Sequence, residues 1–408
     1  MLLPSTRQLS IEPSAARIML GASAAISQLE SHGWVRDART RQSRPHRAFS
    51  ICTTSMVVTT PTDALPNSPI PPEIETGRVG NGKSGSEIDP PAENVKPSKP
   101  TRLRRPVSVT RQFNWPYLSG LIVLHLLVLL AFVPWLFSWT GVISVFVGNY
   151  IFGSLGINLA YHRMLTHRGL TVPKWFEHTL ALLGVCCLQD APARWIAIHR
   201  MHHQHSDEQP DPHTPLVNFF WGHMGWLIYQ NKYFGTADFY DRYARDILKD
   251  PFYFCLERNF MYVWVYLAHA VMFYFAGLGI GWWMAGELSG GLQFGASLLV
   301  WGVFVRTVYV WHITWAVNSV THLWGYRNYE VSDSSRNNWV IGLTNNSEGW
   351  HNNHHASPRC TAHGHKWWEL DLTYTFILLI EKIGLAKNVI HPYRGNMRIE
   401  PISSADNW

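Results

Sequence analysis

Eight histidines stand in three short clusters, and their residue type and spacing point to metal chemistry. The clusters are HRMLTH with His162 and His167, HRMHH with His199, His202 and His203, and HNNHH with His351, His354 and His355. Neutral imidazole is the commonest side-chain ligand for first-row transition metals. Because positions i, i+3 and i+4 share one face of an α-helix, each H-x-x-H-H block can direct three ring nitrogens at one place. A metal takes about four to six ligands, so eight clustered histidines predict two metals side by side.

The HRMLTH pair differs from the other two clusters in its spacing. His162 and His167 are separated by five positions, which in a helix sets them about 140° apart around the axis. The pair is therefore predicted either to straddle a helix end or to serve two different ions.

Other redox cofactors have no recognisable site in the sequence. The five cysteines form no C-x-x-C pair, so there is no thiolate framework for an iron–sulfur cluster and no disulfide pattern. No G-x-G-x-x-G follows a strand. If the metals carry out redox chemistry, their electrons must come from a separate protein. The net charge of +6 indicates membrane anchoring and docking of an acidic partner rather than nucleic-acid binding.

Apolar segments place the histidines at a membrane. Hydrophobic residues make up 47% of the chain and charged residues 15%, against about 25% charged in an average protein. Four segments are long and apolar enough to cross a bilayer, namely 117–139, 142–161, 259–285 and 292–317. Short connections pair them into two hairpins. The expected fold is an all-α integral membrane protein, with four transmembrane helices in two hairpins and a helical cap that carries the histidines.

The distribution of positive charge predicts the orientation of these spans. Arg102, Arg104, Arg105 and Arg111 precede the first segment, whereas the 138–141 and 284–292 connections contain no Lys or Arg. The positive-inside rule then places both termini and all three histidine clusters on the cytoplasmic side, or on the stromal side in a plastid. The apolar stretch 175–188 is too short to span and is predicted to be interfacial or re-entrant.

The N-terminal part has a different composition. Residues 57–100 are rich in Pro, Ser and Thr and show no hydrophobic periodicity, which is typical of disorder. The first fifty residues are rich in Arg and Ser and poor in acidic residues, which fits a transit peptide, but a true start at Met56 explains them equally well. The predicted organisation is a disordered or targeting extension over 1–112, a membrane domain over 113–395 and a tail over 396–408.

Four motifs between residue 113 and about residue 392 carry a resemblance to a known family. They are HRMLTH, WIAIHRMHHQHSDEQPDPHTP, NSVTHLWG and EGWHNNHH. In combination they resemble the boxes of the integral-membrane fatty acid desaturases, in the Δ9 acyl-CoA and acyl-lipid branch that contains the stearoyl-CoA desaturase-like enzymes. The resemblance implies a di-iron centre that uses O2 to introduce a cis double bond into a saturated acyl chain. It also implies an external electron donor of the ferredoxin or cytochrome b5 type.

The resemblance assigns ligands to particular positions. The implied iron ligands are His162, His167, His199, His202, His203, His322, His351, His354 and His355, with Asn318 acting through water. Spacing alone does not select His322, but Asn318 and His322 are i and i+4 and would share a helix face. Metal-bound imidazoles commonly donate their second N–H to a carboxylate. The nearest candidates for that role are Asp190, Asp207, Asp211 and Glu348.

The resemblance also implies a narrow, bent tunnel for the acyl chain. Gln189, Trp195 and Thr314 stand where the family places residues around the bend, and Tyr150 stands where a bulky side chain closes the far end. Arg306, a charge inside the fourth apolar segment, is likewise matched in the family. Such a charge is expected to be paired or functional.

One departure from the family concerns the carrier of the acyl chain. Acyl-CoA members hold the CoA phosphates with charged residues before HRxHH and after H-x-G-W. Here those positions read Ile196-Ala197-Ile198 and Leu227-Ile228-Tyr229, although Lys232 lies nearby. Phosphate recognition requires Arg or Lys, so acyl groups in membrane lipids are the expected substrate and acyl-CoA is the alternative.

Two other functions compete with desaturation. A membrane di-iron hydroxylase or oxygenase would use similar histidine boxes, but the W-x-x-x-HRxHH and N-x-x-x-HLWG contexts argue against it. A metal transporter would carry its ionisable ligands in the middle of the spans, whereas these clusters lie outside the apolar segments.

Overall fold

Four long apolar helices dominate the computed structural model, which describes residues 102–392. Each is long and apolar enough to cross a membrane, and they are Trp115–Phe132, Trp139–Thr166, Pro251–Ala285 and Leu288–His322. They are called the first to fourth spans below. The predicted hairpins are confirmed, because a 3₁₀ turn over Pro134–Leu136 joins the first two and the pair Gly286 and Glu287 joins the last two. Most of the expected N-terminal extension and the whole expected tail lie outside the described residues.

The spans end elsewhere than hydropathy alone predicts. The first ends at Phe132, short of the expected limit at residue 139, because Pro134 has no N–H with which to continue the helix. The second continues to Thr166, with π-helical winding over Asn149–Thr166. The fourth is α-helical over Leu288–Leu299 and Arg306–Ser319, and closes with a 3₁₀ turn, Val320–His322. The second and fourth spans thus carry histidines beyond the predicted membrane segments.

The third span contains a kink near its start. Its helix Pro251–Glu257 is followed by a 3₁₀ turn, Arg258–Phe260, and by the long helix Met261–Ala285. Asn259 and Phe260 have φ of 51° and 56°, which is left-handed backbone and breaks the helix between the two pieces.

Shorter helices build the cap outside the spans. In chain order they are α1 Lys174–Val185, α2 Pro192–His205, α3 Trp226–Ile228, α4 Ala237–Tyr243, α5 Arg245–Leu248, α6 Trp339–Thr344, α7 His351–Ala356 and α8 Leu372–Lys382. A π-helical turn, Trp221–Gly225, leads into α3.

The predicted helical fold is confirmed, and one short strand pair adds to it. Strand β1, Val109–Phe113, pairs antiparallel with strand β2, Tyr229–Asn231. Both strands are short, and their pairing depends on residues far apart in the chain, so no local pattern predicts it. β1 begins four positions before residue 113, the domain boundary expected from the sequence.

Helix α1 is the short apolar stretch that was predicted not to span. It packs directly on the second span where two glycines face each other, and a Cβ on Gly156 would lie 2.3 Å from the backbone nitrogen of Gly184. Only glycine allows two backbones to approach so closely. The crossing positions the following residues, 186–190, and then α2 beside the spans.

A row of three imidazoles ties the first and fourth spans to the cap. His125 Nε2 lies 3.0 Å from His312 Nε2, and His312 Nδ1 lies 3.0 Å from His223 Nε2. His223 Nδ1 in turn lies 3.0 Å from Ser319 Oγ.

Candidate metal centre

Four elements bring the predicted histidines to one end of the spans. The second span supplies His162 near its end, and His322 ends the fourth span. Helix α2 carries the HRMHH cluster and α7 carries the HNNHH cluster. His167 follows the last residue of the second span, so the HRMLTH pair straddles a helix end.

Five of the nine histidines form one group. The members are His162, His167, His199, His203 and His354, each with a ring nitrogen within 4.8 Å of the others'. His162 Nε2 and His203 Nε2 lie 3.1 and 2.9 Å from His354 Nε2, and His199 Nε2 lies 3.1 Å from His203 Nε2. His162 and His167 belong to the same group, so of the two interpretations the structure favours the helix end over separate ions.

The other four histidines form a second group beside the first. The members are His202, His322, His351 and His355. His322 Nε2 lies 3.1 Å from His351 Nε2. His322, which spacing alone did not select, is brought into this group by the end of the fourth span.

Carboxylates that the sequence analysis selected contact the outer nitrogen of three of these rings. Glu348 accepts from His162 Nδ1 at 2.7 Å, and Asp207 from His322 Nδ1 at 2.9 Å. Asp211 lies 3.1 Å from His202 Nδ1. Each contact fixes the ring tautomer and turns Nε2 inward.

The sequence prediction was wrong for one carboxylate, Asp190, and missed another, Asp333. Asp190 contacts no histidine of the two groups in the described structure; its carboxylate accepts from the Tyr117 hydroxyl and lies 3.5 Å from Arg194 Nε. Asp333, which the sequence analysis did not select, accepts from His355 Nδ1 at 2.6 Å. Asp333 stands in a loop with no histidine motif, so no spacing rule could have found it.

Burial favours the neutral form of several of the nine rings. Desolvation, followed by repulsion from neighbouring imidazoles, lowers the pKa of His199, His203, His351 and His354 well below the usual value. A neutral imidazole has one ring nitrogen with a free lone pair, which is the form that binds metals.

The donor atoms test whether a metal fits. His202 Nε2 and His355 Nε2 are buried and have no hydrogen-bond partner among the described residues. Their Nδ1 atoms already contact carboxylates, so each Nε2 presents a lone pair toward the group. Buried polar atoms are rarely left unpaired, and a cation bound by each histidine group would satisfy them.

Two arginines inside the histidine motifs support the site, and the sequence analysis did not select them. Arg163 is 1% exposed and donates to Glu348 at 2.9 Å and to Asp371 at 3.0 Å. Arg200, also 1% exposed, donates to Asp246 at 2.6 Å and to the carbonyl of Leu165 at 2.8 Å. The repeated letters H-R-M in two of the motifs were the available signal.

Three further histidines lie near the motifs but outside the pattern, and only one of them is at the surface. His213 Nδ1 is 3.9 Å from Asp211, and His363 Nδ1 is 3.2 Å from Glu348, with both rings buried. His205 is partly exposed and lies 3.4 Å from Glu208.

An apolar cavity of about 330 Å³ runs between the spans to the five-histidine group. Three of the predicted substrate residues line it together with His199 and Asn318, and they are Gln189, Trp195 and Thr314. They form a hydrogen-bonded chain, in which Trp195 Nε1 donates to Gln189 at 3.3 Å and Gln189 donates to Thr314 Oγ1 at 3.0 Å.

A smaller cavity adjoins the first and shares four of its residues. Trp195, His199, Thr314 and Asn318 line both cavities, and the smaller one reaches Ile157 on the second span. Tyr150, also on the second span, is half-buried and lines neither cavity.

Comparison with known proteins gives the site a family context. The sequence profile of fatty acid desaturases matches residues 134–378, which include all nine histidines. The sn-1 stearoyl-lipid 9-desaturase of Anabaena variabilis is 41% identical over 282 residues, or 69% of this chain and 96% of that protein. The sn-2 palmitoyl-lipid 9-desaturase of a Nostoc species is 39% identical over 68% of this chain and 91% of its own length. The acyl-CoA C20 Delta5-desaturase of Anemone leveillei is 38% identical over 69% of this chain and 83% of its own length.

Proposed function

Because this chain belongs to the fatty acid desaturase family, we propose that it is a Δ9 desaturase of acyl groups carried by membrane lipids. One observation carries the proposal: groups of five and four histidines, largely buried, lie side by side, and His199 of the five-histidine group also lines the wall of an apolar cavity. A saturated hydrocarbon chain fits such a cavity because it offers no polar atom to satisfy.

We propose that two iron ions are held by the nine histidines, five to one ion and four to the other, with Asn318 acting through water. The buried Nε2 lone pairs and the carboxylates behind the rings support this assignment. Bound iron would supply the O2-dependent redox chemistry that an unactivated methylene group requires. The carboxylates would keep the rings oriented while the charge on the ions changes.

The protein's own residues would then select the carbons that react. Trp195, Gln189 and Thr314 line the cavity wall together with His199. The hydrogen bonds among these three side chains satisfy polar atoms that would otherwise face the hydrocarbon of the substrate. An acyl chain passing these residues toward Ile157 would change direction next to the histidines. This path supports the roles of Gln189, Trp195 and Thr314 as the bend of the tunnel.

The charges at the cavity favour an acyl-lipid over acyl-CoA. Arg194 lies beside the carboxylate of Asp190, and its guanidinium stands 5.5 Å from the Tyr117 ring, so its charge already has partners. Two of the relatives are named as acting on lipid-bound stearoyl or palmitoyl chains, whereas a third is named as acting on acyl-CoA. A CoA carrier would need further cations for its phosphates.

We also propose that the histidine side of this multi-pass membrane protein faces the cytoplasm or the plastid stroma. The arginines before the first span support this orientation by the positive-inside rule. Electrons would come from a ferredoxin or a cytochrome b5-type protein, because the sequence offers no second redox cofactor motif.

The test is expression in a host that lacks its own desaturase, followed by mass spectrometry of total lipids and of the acyl-CoA pool. A double bond at carbon 9 that appears in membrane lipids before it appears in the acyl-CoA pool is expected. Accumulation first in acyl-CoA would overturn the lipid carrier, and a hydroxylated chain would identify a hydroxylase. Protein that is inserted and iron-loaded but gives no product would refute desaturation. His205→Ala is the control variant that should stay active, and His199→Ala is the one that should be inactive.

A further inference from the structure

A turn between α1 and α2 forms part of the cavity wall at its bend. Leu188, Gln189 and Asp190 line the larger cavity, and Gln189 makes the hydrogen bonds described above. Leu188 and Asp190 have φ of 51° and 77°. L-residues with left-handed backbone each cost about 1 kcal/mol or more, so the turn 186–190 does not hold this shape by local preference.

Two buried side chains of the fourth span bind the carbonyl groups of this turn. Arg306 Nη2 donates to the carbonyl of Cys186 at 3.0 Å. Trp311 Nε1 donates to the carbonyl of Cys187 at 2.9 Å and to that of Leu188 at 3.2 Å. Arg306 is 0% exposed and Trp311 4% exposed, so water does not compete for these bonds.

The charge of Arg306 suits the end of α1. Cys186 is the residue that caps the C-terminus of α1, where the helix dipole is negative. The thiols of Cys186 and Cys187 do not offer this charge an anionic partner. Burial raises their pKa values to about 11 and about 12, so both are neutral at neutral pH. Besides the Cys186 carbonyl, the Arg306 guanidinium contacts the hydroxyl of Thr307 at 3.4 Å and the ring of Phe152 at 4.2 Å.

We propose that Arg306 and Trp311 are positioning residues that hold the turn 186–190 in its strained shape, and thereby determine which carbons of the acyl chain lie beside the metal centre. The fourth span also supplies Thr314, the partner of Gln189. One helix therefore fixes the turn at its carbonyls and at its side chain. This inference rests on the proposed desaturase function, and it deepens that function by naming residues that set the position of the double bond.

The test compares Trp311→Phe and Arg306→Met with wild-type protein by locating the double bond in the lipid products. Trp311→Phe keeps the ring volume and removes only the donor. It is expected to raise the fraction of product desaturated at neighbouring carbons about fivefold, which is what the loss of one hydrogen bond of ordinary net strength permits. Arg306→Met is expected to raise it further. Trp301→Phe is the matched control, because Trp301 of the same span donates from Nε1 to the carbonyl of Leu136 at 3.0 Å and does not line the cavity.

A second measurement does not depend on activity. Cys186 and Cys187 are 8% and 0% exposed, so their alkylation in the inserted protein, followed by peptide mass spectrometry, reports opening of the turn. Faster alkylation in Trp311→Phe, by about the same factor of five, is expected, with no change in Trp301→Phe. A single double-bond position together with wild-type alkylation in Trp311→Phe would overturn the proposal. Absence of any alkene from wild-type protein would instead reject the desaturase function, and the alkylation rates would still decide whether Trp311 holds the turn.

Discussion

At the residue scale, the carboxylates determine what the histidines can bind. A neutral imidazole can place its proton on either nitrogen. Where Asp333 or Glu348 accepts from Nδ1, the proton stays on that atom and Nε2 must present its lone pair to the interior. The proposed ligand set therefore consists of histidine–carboxylate pairs and not of histidines alone, and removing the acidic member of a pair should weaken metal binding without removing a ligand.

Asp333→Asn tests this coupling in a residue that the sequence did not identify. The amide can no longer hold the Nδ1 proton of His355 as a carboxylate does, so metal retention should fall by about 10- to 100-fold. Iron content of purified protein, measured during titration with a competing chelator, gives the readout. Glu208→Gln is the control, since the side chain of Glu208 is 67% exposed and contacts His205, which lies outside both histidine groups. Equal retention in the two variants would show that Asp333 has no part in metal binding.

Single alanine substitutions of His199, His202, His351 and His354 should abolish desaturation and lower the metal content, while the protein still inserts into the membrane. Each ring belongs to one of the two groups, so each substitution removes one proposed ligand from its ion. His205→Ala should retain activity because its ring is partly exposed. If any of the four variants keeps nearly full activity and two irons, the substituted histidine is not a metal ligand.

The two other histidines that the sequence pattern excluded should behave differently from His205. His213 and His363 are buried beside Asp211 and Glu348. Their alanine variants are therefore expected to lose part of the bound metal, because each carboxylate also contacts a ring of the two histidine groups.

The sequence could predict which motifs come together, because helical spacing determines which side chains share a face of a helix. It could not predict these contacts, or that of Asp333, because they depend on how separate elements pack.

At the element scale, the close crossing of α1 and the second span positions everything that follows it. A Cβ on Gly156 would lie 2.5 Å from the backbone carbon of Leu183, and one on Gly184 would lie 2.6 Å from the Tyr161 ring. Backbone atoms cannot move aside as a flexible side chain can. The two helices would have to separate, and the turn 186–190 and α2 would shift with α1.

Gly156→Ala should therefore destabilise the protein by about 3 kcal/mol, at the upper end of the cost of overpacking. The midpoint of thermal unfolding in detergent should fall. Gly279→Ala is the matched control, because this helical glycine of the third span has open space around its missing Cβ and alanine is the better helix former by about 1 kcal/mol. A midpoint for Gly156→Ala as high as that for Gly279→Ala would contradict the close crossing.

Hydropathy predicted that four spans exist but not where they end. Pro134 was visible in the sequence, yet an uncharged run continues past it, and only the missing N–H ends the first span. The winding over Asn149–Thr166 carries His162 and ends just before His167, and hydropathy gives no sign of it. The strand pair β1 and β2 joins residues more than a hundred positions apart, which no local pattern encodes.

At the scale of the whole molecule, the catalytic unit is expected to be independent of the N-terminal extension. The region shared with four relatives makes up 68–69% of this chain and 80–96% of each relative's length. Deleting residues 1–100 should leave desaturation in a correctly inserted protein intact, as lipid analysis of a complemented host would show. Loss of organelle targeting alone would support the transit-peptide interpretation. Loss of activity in inserted, truncated protein would contradict the predicted domain limits.

The proposed path of the acyl chain is also a property of the whole molecule, because the two adjoining cavities that would hold it run from the first and third spans, past His199, to Ile157 on the second span. Ile157 lines the inner cavity, and Tyr150 lies seven residues earlier on the same span, roughly 10 Å further from the histidines along the helix. A substrate longer than the inner cavity would extend in that direction.

If Tyr150 closes this path, Tyr150→Ala should shift the accepted chain length upward and leave the double bond at the same carbon. The change in selectivity should be about 10- to 200-fold per two-carbon step at most. Lipid profiles decide the point: an altered bond position with unchanged length preference would show that Tyr150 is not the plug, and an unchanged profile would identify it as a packing residue of the second span.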